Sequence, residues 1–436
     1  LRISTCLFIA VLLFLPEVTS AQDGPLTLEE AVKAALQNNE AAGAAEARTE
    51  RSEALLREAY GALIPSLQVT GTYTRRDEEI VRNVGGTSAV IQSQNALSAN
   101  VTARTTLFSA PAIPLVRGAG RAAEAAEFSE ENVKRELARN AALAYVAVLA
   151  ADELVEAAEE RVAYAKRTVE DARARAGAGL ANKTDVTRAE VEFASAELTL
   201  TESRNTAVRA TNALSFITAL EISRPLTTPT FPPPVSGTAA ELSVQALDER
   251  HDLKASTLLS EAARFRAQAP WLQYTPSLAL EGVYRTTNES GLSGDNDSWY
   301  VAAVATWRLY DGGIAAAQAR QYGADAKIAE LETRQLRRSI NVEVDNALAD
   351  LETARAAVVQ AELAARAATE LRDEVTQRFS YGLASGLEQA DAAVSAFESQ
   401  AALARRRLDL NSAQLRLSAA LGHWPAGIHP ESQSQK

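Results

Sequence analysis

The sequence predicts a mixed α/β membrane protein, built mainly from very long α-helices with coiled packing. One chain supplies only four strands, too few to close a β-barrel, so a barrel in a membrane would need further copies to complete it. Three observations predict this class. First, one plan occurs twice: a helical segment, two strands, a much longer helical segment, a glycine turn and a further helix. Leu67 to Tyr73 corresponds to Leu278 to Tyr284, Leu107-Phe108-Ser109 to Leu309-Tyr310-Asp311, and Arg175-Ala-Gly-Ala-Gly-Leu-Ala181 to Arg378-Phe-Ser-Tyr-Gly-Leu-Ala384, at offsets of 211, 202 and 203 residues. Second, the hydropathy period changes from 3.6 to 2 between the helical segments of each half. Third, two helical stretches are far longer than those of ordinary globules.

The first 21 residues read as a leader, with Arg2, an apolar stretch from Leu7 to Leu15, Pro16, and Thr19-Ser20-Ala21 before a cleavage point. A capping box, Thr27 with Glu30, then opens a helix expected from Leu28 to Tyr60, ended by Gly61 and Pro65. Leu67, Val69, Gly71 and Tyr73 alternate with Gln68, Thr70, Thr72 and Thr74. Arg75 to Gln94 reads as a loop, after which Leu97, Ala99, Val101, Ala103, Thr105 and Leu107 form a second apolar row. In the other half Leu278, Leu280, Gly282 and Tyr284 form one row, and Trp299, Val301, Ala303, Ala305, Trp307 and Leu309 another. One face of each strand suits lipid and the other water, with Tyr73, Tyr284, Trp299 and Trp307 as interface aromatics. Soluble hairpins packed on helices would produce the same alternation. Lipid tolerates no unpaired strand edge, so four strands that enter a membrane need other subunits to close them.

Ile314 to Phe379 contains no proline and Ala112 to Ala176 none beyond Pro114, so each reads as one helix of roughly 100 Å. Ala142, Tyr145, Val146, Leu149, Leu154, Val155 and Val162 recur at heptad-like spacing among alanines, which permits close coiled packing. A rod or soluble bundle would share this pattern. The full division is a leader over 1–21, a first repeat over 22–222, a proline-rich linker over 223–240, a second repeat over 241–422 and a tail over 423–436 without periodicity. Strands are expected near 66–75, 96–109, 277–286 and 298–309. Helices are expected over 112–176, 181–219, 314–379 and 385–421.

The net charge of −12 disfavours a nucleic-acid partner, which would need clustered cations. Cys6, the single cysteine, lies in the leader, leaving no thiol for a disulfide or metal site in the rest of the chain. His251, His423 and His429 are scattered, and no phosphate loop, nucleophile elbow or cofactor motif occurs. A repeated wall with no catalytic constellation favours a conduit over an enzyme.

The chain resembles the bacterial outer membrane efflux protein family. The resemblance rests on Leu28-Glu-Glu-Ala-Val-Lys-Ala-Ala-Leu-Gln-Asn-Asn39, Leu63-Ile-Pro-Ser-Leu67, Leu309-Tyr-Asp-Gly-Gly313 and Arg378-Phe-Ser-Tyr-Gly-Leu-Ala384, in that order. It implies a homotrimer in outer-membrane lipid, with a twelve-stranded barrel continuous with a periplasmic helical tunnel and no cofactor. It also implies a periplasmic adaptor, or membrane fusion protein, and an inner-membrane transporter of the RND, ABC or MFS class, in efflux or type I secretion. By position, Glu388, Asp391 and Asp185 correspond to an acidic constriction that selects cations, and Phe379 to an aromatic gate. Gly177, Gly179, Leu180, Gly382 and Leu383 would form adaptor-contact tips. Ala384 and Ser385 stand where family members can carry a gating arginine. Read from the residues alone, the carboxylates are equally caps or solvent-facing groups, and a soluble periplasmic scaffold or adaptor is the competing function.

Overall fold

A computed structural model describes residues 24–428, apart from 85, 86, 180, 224, 232–236 and 290–294. The expected leader and its cleavage point lie outside these residues. The helix expected from Leu28 to Tyr60 is two helices, α1 (Leu28–Asn38) and α2 (Glu40–Gly61). Asn39 breaks them by taking extended backbone, ψ 132°, and serving both ends. Its Oδ1 accepts from Ala41 N at 2.9 Å, and its Nδ2 donates to the carbonyl of Ile217 at 2.9 Å. The second half breaks in the same way at Arg250, between α5 (Ala239–Glu249) and α6 (His251–Leu272).

Four strands form one antiparallel sheet: β1 (Ser66–Arg75), β4 (Asn95–Phe108), β5 (Ser277–Thr287) and β6 (Asp297–Thr306), in the spatial order β1-β4-β5-β6. The β4–β5 pairing joins the two halves. Between β1 and β4, the expected loop instead carries a hairpin of β2 (Ile80–Val84) and β3 (Thr87–Gln92). β6 stops at Thr306, so Trp307 leaves the expected strand row and donates from Nε1 to the carbonyl of Tyr274 at 2.9 Å.

The long helices are α3 (Ala112–Gly177) and α7 (Ile314–Ser380), of 66 and 67 residues, or about 100 Å each. Pro114 is the third residue of α3, where its missing N–H leaves no helical bond unmade. Each long helix turns back into a shorter partner, α4 (Lys183–Thr218) or α8 (Gly386–Ala420). Buried alanines dominate these contacts, including Ala158, Ala165 and Ala172 on α3 and Ala396 and Ala404 on α8. At Gly118 a Cβ would lie 3.2 Å from the Ala262 carbonyl oxygen, a tight contact that would push α3 and α6 a few tenths of an ångström apart.

Tyr145 of α3 is wholly buried where the segment just before α1 meets the inter-repeat linker. Its hydroxyl lies 2.7 Å from the carbonyls of Leu26 and Thr227 and accepts from Thr227 N at 3.0 Å. Leu26 and Leu226 form an isolated parallel bridge beside it. The start of the tail is ordered too: Trp424 is buried in the core of α1, α3, α4 and α8 residues, and Pro425–Gly427 form a short 3-10 turn. Residues 429–436 of the expected tail lie outside the described residues.

Candidate functional site

Strand register sorts the sheet into two chemically different faces. Val69, Val101, Tyr284 and Trp299 stand in line across the four strands, as do Leu67, Ala103, Gly282 and Val301. This face is open: Trp299 is 75% and Leu67 is 72% exposed. An irregularity between Thr106 and Phe108 pairs Phe108 with Leu278, which brings another aromatic into register with the apolar rows. Tyr73 and Tyr284 direct their hydroxyls to Asn95 at 2.9 Å and Asp297 at 3.1 Å, placing polar tips at one end of an apolar band. The opposite face aligns Thr70, Asn100, Arg285 and Ser298, and next to them Gln68, Thr102, Val283 and Tyr300. Ten residues in a tilted strand are long enough to cross a bilayer core. No described helix is long and apolar enough to cross a membrane.

The far ends of the long helices form a second site. Gly179 and Gly382 have φ of 77° and 73°, a left-handed backbone that glycine adopts without a Cβ clash. Gly179 N donates to Ala176 O at 3.0 Å and Gly382 N to Phe379 O at 3.0 Å, while Leu383 N reaches Arg378 O at 2.8 Å. Gly177, Gly179 and Gly382 are exposed, and Leu383 keeps 69% of its surface in solvent. Leu180 lies outside the described residues.

The next helix in each half starts on a carboxylate. Ser385 N donates to Glu388 Oε2 at 2.7 Å, and Glu388 N returns a bond to Ser385 Oγ at 3.2 Å. Asn182 N donates to Asp185 Oδ2 at 3.1 Å in the matching place. The Ser385 amide and then its hydroxyl hold the Glu388 carboxyl below the usual glutamate range. Asp391, one turn further along α8, is exposed and its carboxylate has no hydrogen bond or ion pair among the described residues. The structure therefore gives Glu388 and Asp185 a capping bond each and leaves Asp391 free.

Phe379 is half-buried between the two tips. The Arg175 guanidinium lies 4.3 Å from its ring centre and donates to the carbonyls of Phe379 at 3.2 Å and Ser380 at 3.4 Å. This residue ties the end of α3 to the end of α7, and sequence reasoning used it only as a repeat marker. Its counterpart Arg378 instead approaches Glu374 on its own helix, at 4.0 Å. Just above, Tyr164 and Thr376 join α3 to α7 through their hydroxyls at 2.7 Å.

Comparison with known proteins agrees with this architecture. A family model described as outer membrane efflux protein matches residues 31–220 and 242–423. No curated protein sequence matches the chain. Among solved structures, a membrane protein from Pseudomonas aeruginosa is 20% identical with a TM-score of 0.79, over 92% of this chain and 91% of that one. The outer membrane protein VceC from Vibrio cholerae is 21% identical with a TM-score of 0.77, over 92% and 97%. The open state of the Neisseria gonorrhoeae MtrE outer membrane channel is 19% identical with a TM-score of 0.79, over 93% and 91%. These likenesses show the fold, and with both halves matched by the family model, the chain belongs to the outer membrane efflux protein family.

Proposed function

We propose that three copies of this chain close into one conduit, which passively carries solutes from a periplasmic adaptor and an inner-membrane pump to the exterior. One observation supports this reading above the others: the sheet and the helical layer are both open, and their free ends belong to the same parts of the chain. The sheet ends at β1 on one side and β6 on the other. The helices run in contact order α2-α3-α6-α7 above and α4-α3-α8-α7 below. The strand β1 follows α2 and β6 precedes α7, so a neighbouring copy can continue both layers at one seam. Exposed apolar residues mark the open helices, with Val191, Leu198 and Val208 on α4 and Ile328, Val342, Val359 and Leu363 on α7.

A soluble scaffold, the competing function, would leave Leu67, Val69, Trp299 and Val301 in water together with two unpaired strand edges. In the conduit the apolar face meets lipid, the polar face lines the pore, and the glycine tips with Leu383 meet the adaptor. Asp391 and Glu388 then lie toward the axis at the narrow end. The inner-membrane partner, an RND, ABC or MFS transporter, supplies the energy.

Fractionation followed by electrophoresis of unheated detergent extract tests this reading. The expected result is a heat-modifiable oligomer in the outer-membrane fraction. Recovery of the chain as a soluble periplasmic monomer would overturn it.

A further inference from the structure

The polar face of the sheet carries a charge pattern that runs against the rest of the chain. The protein has a net charge of −12, yet only three charged side chains lie on that face within the four paired strands, and two are cations: Arg104, Glu281 and Arg285. Arg104 and Glu281 are direct cross-strand partners, 4.0 Å apart, and Glu281 also accepts from the Tyr300 hydroxyl at 3.2 Å. That pair neutralises itself. Arg285, four residues further along β5, faces Asn100 on one side and Ser298 on the other. It is exposed and makes no ion pair among the described residues. The next carboxylate along the chain, Glu289, is engaged by Arg76 and by Ser93 N at 2.9 Å, and Arg285 adds only a weaker through-space attraction to it.

We propose that Arg285 is a specificity-determining residue of the outer pore, where it makes the β-walled section favour anions and anionic groups of the cargo. This rests on the conduit reading, since closure by identical copies is what repeats Arg285 at one height around the axis. A barrel of twelve strands about 4.8 Å apart has a radius of about 12 Å. That is close to the Debye length of ~8–10 Å at moderate salt, so the collar's field is reduced at the axis without being abolished. Rings of arginine favour anions in pores by the same Coulomb attraction. The acidic helical tip lies at the other end of each long helix, roughly 100 Å away and far beyond screening range. The two ends therefore impose opposite preferences independently.

Reversal potentials in planar bilayers across a potassium chloride gradient test the assignment. The background is E388Q/D391N, in which the tip carboxylates are neutral. There R285Q is expected to lower the chloride-to-potassium permeability ratio about twofold, the size expected for a screened collar of three charges. R285E should lower it further, while R285K should keep the parent ratio. Oligomer formation by each variant is checked by heat-modifiable migration. Equal ratios for the parent, R285Q and R285E would overturn the role of Arg285 and leave the conduit reading intact. Failure of the parent to give any unitary current would instead reject the conduit reading, and this assignment with it.

Discussion

Asp185 and Glu388 are one position used twice: 203 residues apart, each accepts the backbone N–H of the residue three before it and so starts the helix that follows a glycine tip. The bond uses one oxygen of Glu388, whereas both oxygens of Asp391 are free. Cation selectivity at the tip should accordingly fall more in D391N than in E388Q, and most in the double alanine variant, together with loss of divalent-cation block. Single-channel recordings measure both. Unchanged selectivity in the double variant would remove these residues from the axis.

Arg175 holds α3 to α7 at the tip through two carbonyls and the Phe379 ring. Arg175→Ala removes charge-assisted bonds worth about 1 kcal/mol at a half-exposed site. The expected result is a larger unitary conductance or more frequent opening, with Arg175→Lys intermediate. A variant with wild-type current traces would show that the contact is packing alone.

Much of the architecture was legible because its signals are long or repeated. Sixty-odd residues without proline identify α7, and uninterrupted alternation identifies β1 and β5, since a period maintained over many residues outweighs local propensity. What was missed depends on single residues. Asn39 ends one helix and starts the next because its amide reaches Ile217, a contact 178 positions away. A signal for the β2–β3 hairpin was present, as Ile80, Val81, Val84 and Val90, Ile91 flank Gly85-Gly86. The charges around them concealed it. At the tip, spacing marked Glu388 and Asp391 as one helix face, but only the folded turn at Ser385 separates the capped carboxylate from the free one. Arg175 was unrecognisable as a clamp because its partners are backbone carbonyls, which leave no trace in residue type.

Tyr145 should be a stability determinant far from both mouths. Tyr145→Phe keeps the ring in the core but removes the hydroxyl; Thr227 N keeps its bond to the Leu26 carbonyl at 3.0 Å, so the Thr227 carbonyl is the group left short of a donor. The cost expected is about 1–3 kcal/mol. Faster amide exchange at Leu26 and Thr227 would report it, with unitary conductance unchanged. Wild-type exchange at both amides would show the hydroxyl to be dispensable.

The loop clamp should respond to acid. The Arg76 hydrogen bond holds the Glu289 carboxyl below its usual range, assisted by the Ser93 amide and then by the charges of Arg76 and Arg285. A carboxyl depressed in the folded state contributes stability above its unfolded pKa and loses it as pH falls through the folded value. Protease resistance of residues 75–94 should therefore hold at neutral pH and drop below the ordinary glutamate range. Glu289→Gln should be sensitive at neutral pH already. Equal resistance of the variant across the range would exclude this pair as the clamp.

Adjacent residues of β6 distinguish the two faces most directly. Val301 pairs with Gly282 in the exposed apolar row, and Ala302 pairs with Glu281 on the polar face. A lysine at the first position would be forced into hydrocarbon, where a cation near the midplane costs about 2–4 kcal/mol. At the second position it would enter the pore beside a carboxylate. Val301→Lys should thus reduce the yield of heat-modifiable oligomer, while Ala302→Lys should assemble normally and raise anion preference. The reverse order, with Ala302→Lys failing and Val301→Lys assembling, would mean that the face assigned to lipid lines the pore.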